Sequence, residues 1–189
     1  MLADLLAELG RQLEPGVGVI VCRDNLDLQY GDKCQKLLDA STAEYVSFLD
    51  DDDWIVEDFV EVIREALDQR PDYVGFNVDF TEDGVKQMPV CHSLQHSGWI
   101  DSPEALYRDI VHFNPIRRDL AVQAGWSGGC GADRRWADGL RALGCVKTEV
   151  YIDRELHHYR HVGGSFTVPP RLAECPPRPD GFPFVTWLT

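Results

Sequence analysis

The chain has 189 residues, 44% of them hydrophobic, and a formal charge of −14 at pH 7. That length and apolar content suit one globular domain with its own core and exclude disorder as the dominant state. The charge argues against a broad electrostatic grip on nucleic acid or on an anionic membrane; a small polyanion could still bind through a metal.

In chain order, Leu2, Leu5, Leu6, Leu9 and Leu13 recur at helical spacing, and Pro15 and Gly16 stop that helix. "VGVIVC" (17–22) is a continuous β-branched run, expected of a strand covered on both faces, and "RDNLD" turns the chain out at its end. "GDKCQKLLDAST" (31–42) suits a helix and "YVSFL" (45–49) a second buried strand. Ile55, Phe59, Val60, Ile63 and Leu67 then return at helical intervals, and "DYVGFNVDF" (72–80) reads as the next strand. Residues 81–102 suit a hairpin or insertion. "SPEALYRDI" (102–110) opens with a serine cap and a proline, a helix start. Two short helices are expected in "PIRRDLAVQAG" and "GADRRWADGLRALG", and two late strands in "VKTEVYID" and "ELHHYRH". A proline-rich linker and a strand-like "FVTWLT" close the chain. Alternating strands and helices predict an α/β fold with a mostly parallel sheet flanked by helices.

No stretch approaches the ~20 apolar residues of a membrane span, and the N-terminus lacks a basic signal region. Six cysteines, at positions 22, 34, 91, 130, 145 and 175, contain no C-x-x-C pair, so reduced thiols in a cytoplasmic protein are the expectation.

Asp50, Asp51, Asp52 and Asp53 follow the "YVSFL" strand directly. In an open parallel sheet, ligands bind at the carboxyl ends of the strands. Adjacent carboxylates there repel and raise each other's proton affinity unless a cation neutralises them. Mg²⁺ or Mn²⁺ is the natural candidate, because hard cations take oxygen ligands and hold diphosphates through one or two carboxylates. The alternative is that the aspartates cap the next helix, but four exceed what a helix dipole needs.

"GDKCQKLLDASTAEYVSFLDDDDWIVEDF" resembles the central block of the family 2 glycosyltransferases of the GT-A fold, whose pattern ends in hydrophobic-x-F-L-D-x-D-D. "HFNPIRRDLAVQAGW" (112–126) and "GADRRWADGL" (131–140) are similar to that family's acceptor-side segment and E-D helix. The likeness runs over residues 16–160 and implies a GT-A-like, Rossmann-type sheet and transfer of a sugar from a nucleoside-diphosphate sugar, with inversion, to an acceptor hydroxyl. It further implies a donor site of Asp24, Lys33, Asp50 and Asp51, with Asp50 nearer the ribose. Asp52 would bind Mn²⁺ or Mg²⁺, and Asp133 would be the general base that takes the acceptor's proton. An aspartate placed like Asp133 could equally be a plain helix cap.

His158 and His161 fall where some GT-A enzymes add a histidine metal ligand, although strand alternation puts His157 and His161 on one face and His158 on the other. Trp54, Trp99, Trp126 and Trp136 could stack on sugar or pack in the core. Arg117 and Arg118 could meet phosphate or stay solvated. The acceptor, the sugar and the nucleotide are left open, with a nucleic acid acceptor disfavoured by the charge.

Two departures stand out. Gln35 replaces the family's Asn, and Ala132 its Glu before the base. The family's first strand, ending in P-T, is also missing before the first helix. A sheet without a central strand would expose unpaired ladders. "FPFVTWLT" (182–189) could fill the slot, giving a circularly permuted order with a domain at 1–168, a linker at 169–181 and a completing strand at 182–189; truncation or a longer tandem chain are the alternatives. The rival functions are a degenerate nucleotide-sugar binding module and a metal-dependent phosphohydrolase, the latter lacking a D-x-D-x-T pattern.

Overall fold

The computed structural model describes residues 2–25, 27–161 and 184–188. In chain order the elements are α1 (Leu2–Gln12), β1 (Gly18–Cys22), α2 (Tyr30–Ala40), β2 (Tyr45–Leu49), β3 (Trp54–Ile55), α3 (Phe59–Leu67), β4 (Tyr73–Glu82), β5 (Val85–Lys86), β6 (Val90–His92), β7 (Ile100–Asp101), β8 (Leu106–Arg108), β9 (Ile116–Arg117), α4 (Arg118–Ala124), α5 (Ala132–Leu143), β10 (Glu149–His161) and β11 (Phe184–Leu188). The expected linker at 169–181 lies outside the described residues. Among the described residues, no helix is long and apolar enough to cross a membrane.

All strands join one sheet in the order β1-β11-β2-β9-β4-β6-β8-β7, with β10 along β4, β3 on β10 and β5 on β4. Among the described residues most pairings are antiparallel; β10 with β4 and β6 with β8 are parallel. The mostly parallel sheet expected from the sequence is thus corrected to a mixed one. The reason lies in the inserted strands. β1 and β2 are each antiparallel to β11, and β2 and β4 are each antiparallel to β9, so β1, β2, β4 and β10 share one direction. The strands that alternate with helices therefore keep the parallel arrangement, and short reversed strands wedge between them. Their carboxyl ends share one edge.

Two apolar clusters cover the sheet's faces. Leu5 and Leu9 of α1 and Phe59, Val60 and Ile63 of α3 pack with Leu49 and Phe76. Leu37 and Leu38 of α2, Leu120 of α4 and Trp136 and Leu140 of α5 pack with Val46 and Phe48. Val46 and Phe48 thus face one layer and Leu49 the other, as period-two alternation in a doubly covered strand requires. Gln12 ties the first layer together: its amide donates to Val56 O at 2.8 Å and its oxygen accepts from Val60 N at 3.0 Å.

Three local expectations change. Trp54 and Ile55 form a short strand against His158 and His157, so the helix starts at Phe59. The serine signal at 102 is real, since Ser102 Oγ accepts from Glu104 N and Ala105 N, but the chain does not continue helically. Leu106 to Arg108 pair with β6 instead, burying Leu106 and Arg108, and that tertiary gain overrides a local cap. The two expected late strands are one, β10, irregular in register between Ile152 and His157. Not every thiol is free either: among the described residues Cys22, Cys34, Cys91 and Cys145 are, whereas Cys130 is disulfide-bonded.

Candidate functional site

The four aspartates leave β2 as a tight turn closed by Asp53 N donating to Asp50 O at 3.2 Å. Asp50, Asp51 and Asp53 are buried and Asp52 is half-buried. Burial, and then the charge of Asp50, push the Asp53 carboxyl well above the usual range. Arg160 of β10 holds the turn's main chain, its Nε donating to Asp52 O at 3.0 Å and its Nη2 to Asp53 O at 3.5 Å, while its amide reaches Asp53 Oδ1 at 3.3 Å.

Beside this turn, at the end of β1, Asp24 Oδ1 lies 2.5 Å from Lys33 Nζ, with both side chains almost fully buried. Burial alone would raise the Asp24 carboxyl. The Lys33 ammonium and the Leu28 amide, at 3.0 Å, outweigh it and hold the carboxyl below its ordinary value. A buried pair of this kind leaves a costly lone charge if one partner is removed.

Rings floor the site. Trp136 stacks on Trp126 at 4.7 Å, Trp126 meets Phe48 at 5.2 Å, and Tyr30 stands edge-on to both Trp126 and His112. His112 Nε2 is 3.7 Å from Asp50 Oδ2. His157 stacks on Phe113 at 4.1 Å and places Nε2 3.2 Å from Asp53 Oδ2. Two histidines therefore stand behind two of the aspartates. Burial disfavours charge on both, yet His112 is raised because the Asp50 carboxylate outweighs burial, whereas His157 falls to about 3.

Asp133 sits half-buried in the first turn of α5. Its charge acts on Tyr30, Cys34 and His112, so it shares their surroundings. The loop before α5 is pinned to α2: Gly31 N donates to Gly128 O at 2.7 Å, and a Cβ on Gly31 would come within 2.6 Å of Ser127's carbonyl carbon. Gly31→Ala should therefore force this junction apart, costing about 2 kcal/mol and lowering Tm by roughly 4–8 °C in a melt followed by circular dichroism. Gln35, where the family has Asn, accepts from Trp126 N at 2.8 Å and so secures the same loop.

Residues 3–124 match the model of glycosyl transferase family 2. The chain belongs to this family. No curated protein matches it. The match takes in Asp24, Lys33 and the four aspartates, and ends before Asp133 and β10. Membership supports a nucleotide-sugar transferase at family level.

The structure brings Asp24, Lys33 and Asp50–Asp53 to one edge of this transferase-like sheet, with Asp133 acting on the same ring cluster. His158 and His161 take other carboxylates. His158 Nδ1 is 2.7 Å from Asp79 Oδ2 and His161 Nδ1 is 3.6 Å from Glu82 Oε1, both across the β4–β10 ladder. His157 is the β10 histidine that touches the aspartate turn. Trp126 and Trp136 are core, and Arg117 is spent on Asp72 and Asp119. A cleft of about 390 Å³ bounded by Tyr45, Arg70, Arg117 and Arg118 lies at the opposite end of β2, away from the aspartates. Sequence reasoning missed His112, His157 and Arg160. Nothing local marks His112 or Arg160, and alternation separates His157 from His158 without saying which of them meets the aspartates.

Among the described residues, no group of three or more His, Cys, Asp or Glu converges as a metal site. The donor chemistry nevertheless fits a hard cation. Mg²⁺ and Mn²⁺ are commonly held by one or two carboxylates completed by substrate phosphates, without a full protein cage.

His92 is buried behind the ring on which His157 stacks, 5.0 Å from Phe113, and its Nδ1 contacts Asn114 Oδ1 at 2.7 Å. Burial lowers it to about 3. A histidine depressed in the folded state supports stability above the unfolded value near 6.5 and loses it as pH falls toward 3. At pH 5 the loss from His92 is about 2 kcal/mol. His92→Gln should flatten the fall in Tm between pH 7 and 5; an unchanged slope would assign that acid sensitivity elsewhere.

Proposed function

We propose that the protein is an inverting, metal-dependent glycosyltransferase that moves a sugar from a nucleoside-diphosphate sugar to an acceptor hydroxyl. The observation that carries this reading is the buried aspartate turn on the common carboxyl edge of β1 and β2, flanked by the Asp24–Lys33 pair. In this reading Asp24 and Asp50 hold the nucleoside, Lys33 fixes Asp24, Asp51 supports the turn from within, and Asp52, the most exposed of the four, is the metal ligand. A bound Mn²⁺ or Mg²⁺ would hold the diphosphate and offset the charge that builds on it as the sugar leaves. For a histidine contribution the geometry favours His157, which orients Asp53, over His158 and His161. Asp133 takes the acceptor's proton.

Incubation with Mn²⁺ and a panel of UDP- and GDP-sugars tests this. Release of the nucleoside diphosphate together with a product of inverted anomeric configuration supports it. Donor binding without turnover favours the degenerate module, a reading that the buried Ala132, standing where the family has Glu, supports. Phosphate release from simple esters favours a phosphohydrolase.

Residues 182–189 belong to the working fold in this proposal. β11 pairs with β1 over Gly18–Cys22 and with β2 over Val46–Leu49, lying between the two. Its position supports completion of the sheet. Its direction, antiparallel to both neighbours, does not support a simple circular permutation, which would keep the strand's polarity. Ending the chain at residue 181 should expose two unpaired ladders and abolish the cooperative melt and UDP binding. Unchanged folding and donor binding would remove the tail from the fold.

A further inference from the structure

Trp99 and Arg134 form a feature that the donor chemistry does not use. Trp99 lies in the segment before β7, which packs along α5; a Cβ on Gly98 would stand 3.8 Å from Arg141 Cζ. The indole is fixed by its Nε1 donating to Ile110 O at 3.0 Å. Arg108 stands 5.2 Å from the ring centre and is fully committed: it donates to Ile100 O and Tyr107 O and pairs with Asp101 at 2.7 Å. Arg134 stands 5.7 Å from the same ring, next in sequence to Asp133.

Arg134 differs from its neighbours. Arg135 donates to the carbonyls of Cys130 and Ser127, and Arg141 pairs with Asp109 and Asp138. Arg134 is exposed and, among the described residues, makes no hydrogen bond or ion pair beyond its ring contact. A ring holds a guanidinium's orientation through its face while leaving the in-plane N–H donors open. In a chain of charge −14, an arginine held on a ring with its side-chain donors open is a local exception.

We infer that Arg134, oriented by Trp99, recognises an anionic group, a carboxylate or a phosphate ester, on the acceptor whose hydroxyl is delivered to Asp133. This rests on the reading of Asp133 as the base of a glycosyltransferase. The planar fork matches either anion bidentately.

The test is a calorimetric titration of the full chain, loaded with UDP or GDP and Mn²⁺, with three probes: methyl β-D-glucuronide, glucose 6-phosphate and methyl β-D-glucoside. An anionic probe should bind at least about tenfold tighter than the neutral glycoside at low salt. The stronger of the two anionic probes identifies a uronate or a phosphate as the source. Arg134→Gln should erase the preference without changing nucleotide affinity, and Arg134→Lys should keep part of it. Equal binding of all three probes to the nucleotide-loaded protein, or a preference that survives Arg134→Gln, overturns the inference and leaves the glycosyltransferase reading standing. Failure to load any nucleotide overturns both.

Discussion

Asp52→Asn is expected to lower sugar transfer at least about a thousandfold, roughly 4 kcal/mol of transition-state stabilisation, while leaving the fold intact. The two halves of that expectation come from different observations. Asp52 is the least buried of the four aspartates, and Arg160 holds its main-chain oxygen, a contact that the substitution keeps. Exchanging one oxygen for NH₂ keeps its size and removes one negative charge from a crowded turn, so Tm should stay level or rise slightly. Transfer requires the lost carboxylate if it anchors the cation that carries the diphosphate. Initial rates at saturating donor and Mn²⁺, set beside a thermal melt, separate the two effects. Activity within tenfold of the unsubstituted protein would take Asp52 out of the metal site. Asp53→Asn makes a contrast: Asp53 is buried against His157 and the Arg160 amide, so damage there should appear in stability as well as rate.

The second large effect is expected at Asp133. Asp133→Asn should lower kcat by about 10²–10⁴ with nucleotide affinity unchanged, since a general base contributes on that scale and touches the acceptor rather than the donor. The structural alternative is that Asp133 only complements the N-terminal dipole of α5, a contribution of about 0.3–1 kcal/mol to stability. The two separate cleanly. A dipole role shifts Tm slightly and leaves kcat alone; a base role does the reverse. Ala132 sharpens the question, because the neighbour that would help orient an acceptor in the family is a buried methyl group here.

The placement of the candidate site's residues was legible where the signals are local and redundant. "YVSFL" reads as a doubly covered strand, and Val46, Phe48 and Leu49 do pack into opposite layers. Four aspartates at its end exceed what a helix cap needs, and the turn lies on the shared carboxyl edge. The Asp24–Lys33 contact was foreseen only as two positions near a donor. That they form a buried pair depends on how α2 docks, which Gly31 and Ser127 control through contacts nearly a hundred residues apart in sequence.

What stayed hidden is what tertiary pairing decides. Ser102-Pro103 caps as its chemistry dictates, yet β6 captures Leu106 to Arg108 before a helix can form. In β10 the register slips before His157 and then runs evenly to His161, with His157 at Asp53 and His158 at Asp79; which of these partners each histidine meets is set by how β3 and β4 dock, not by the sequence of β10. The direction of β11 has no sequence signature, because apolar alternation reads the same from either end. The same ambiguity made the whole sheet read as more parallel than it is.

The most direct measurement is a calorimetric titration of UDP and GDP into the protein with and without Mn²⁺, repeated with Asp52→Asn. One nucleotide should bind in the presence of Mn²⁺ and weaken at least about tenfold both when the metal is removed and when Asp52 is substituted. Affinity indifferent to Mn²⁺ and to Asp52, or no binding of either nucleotide, would contradict a donor site built on the aspartate turn.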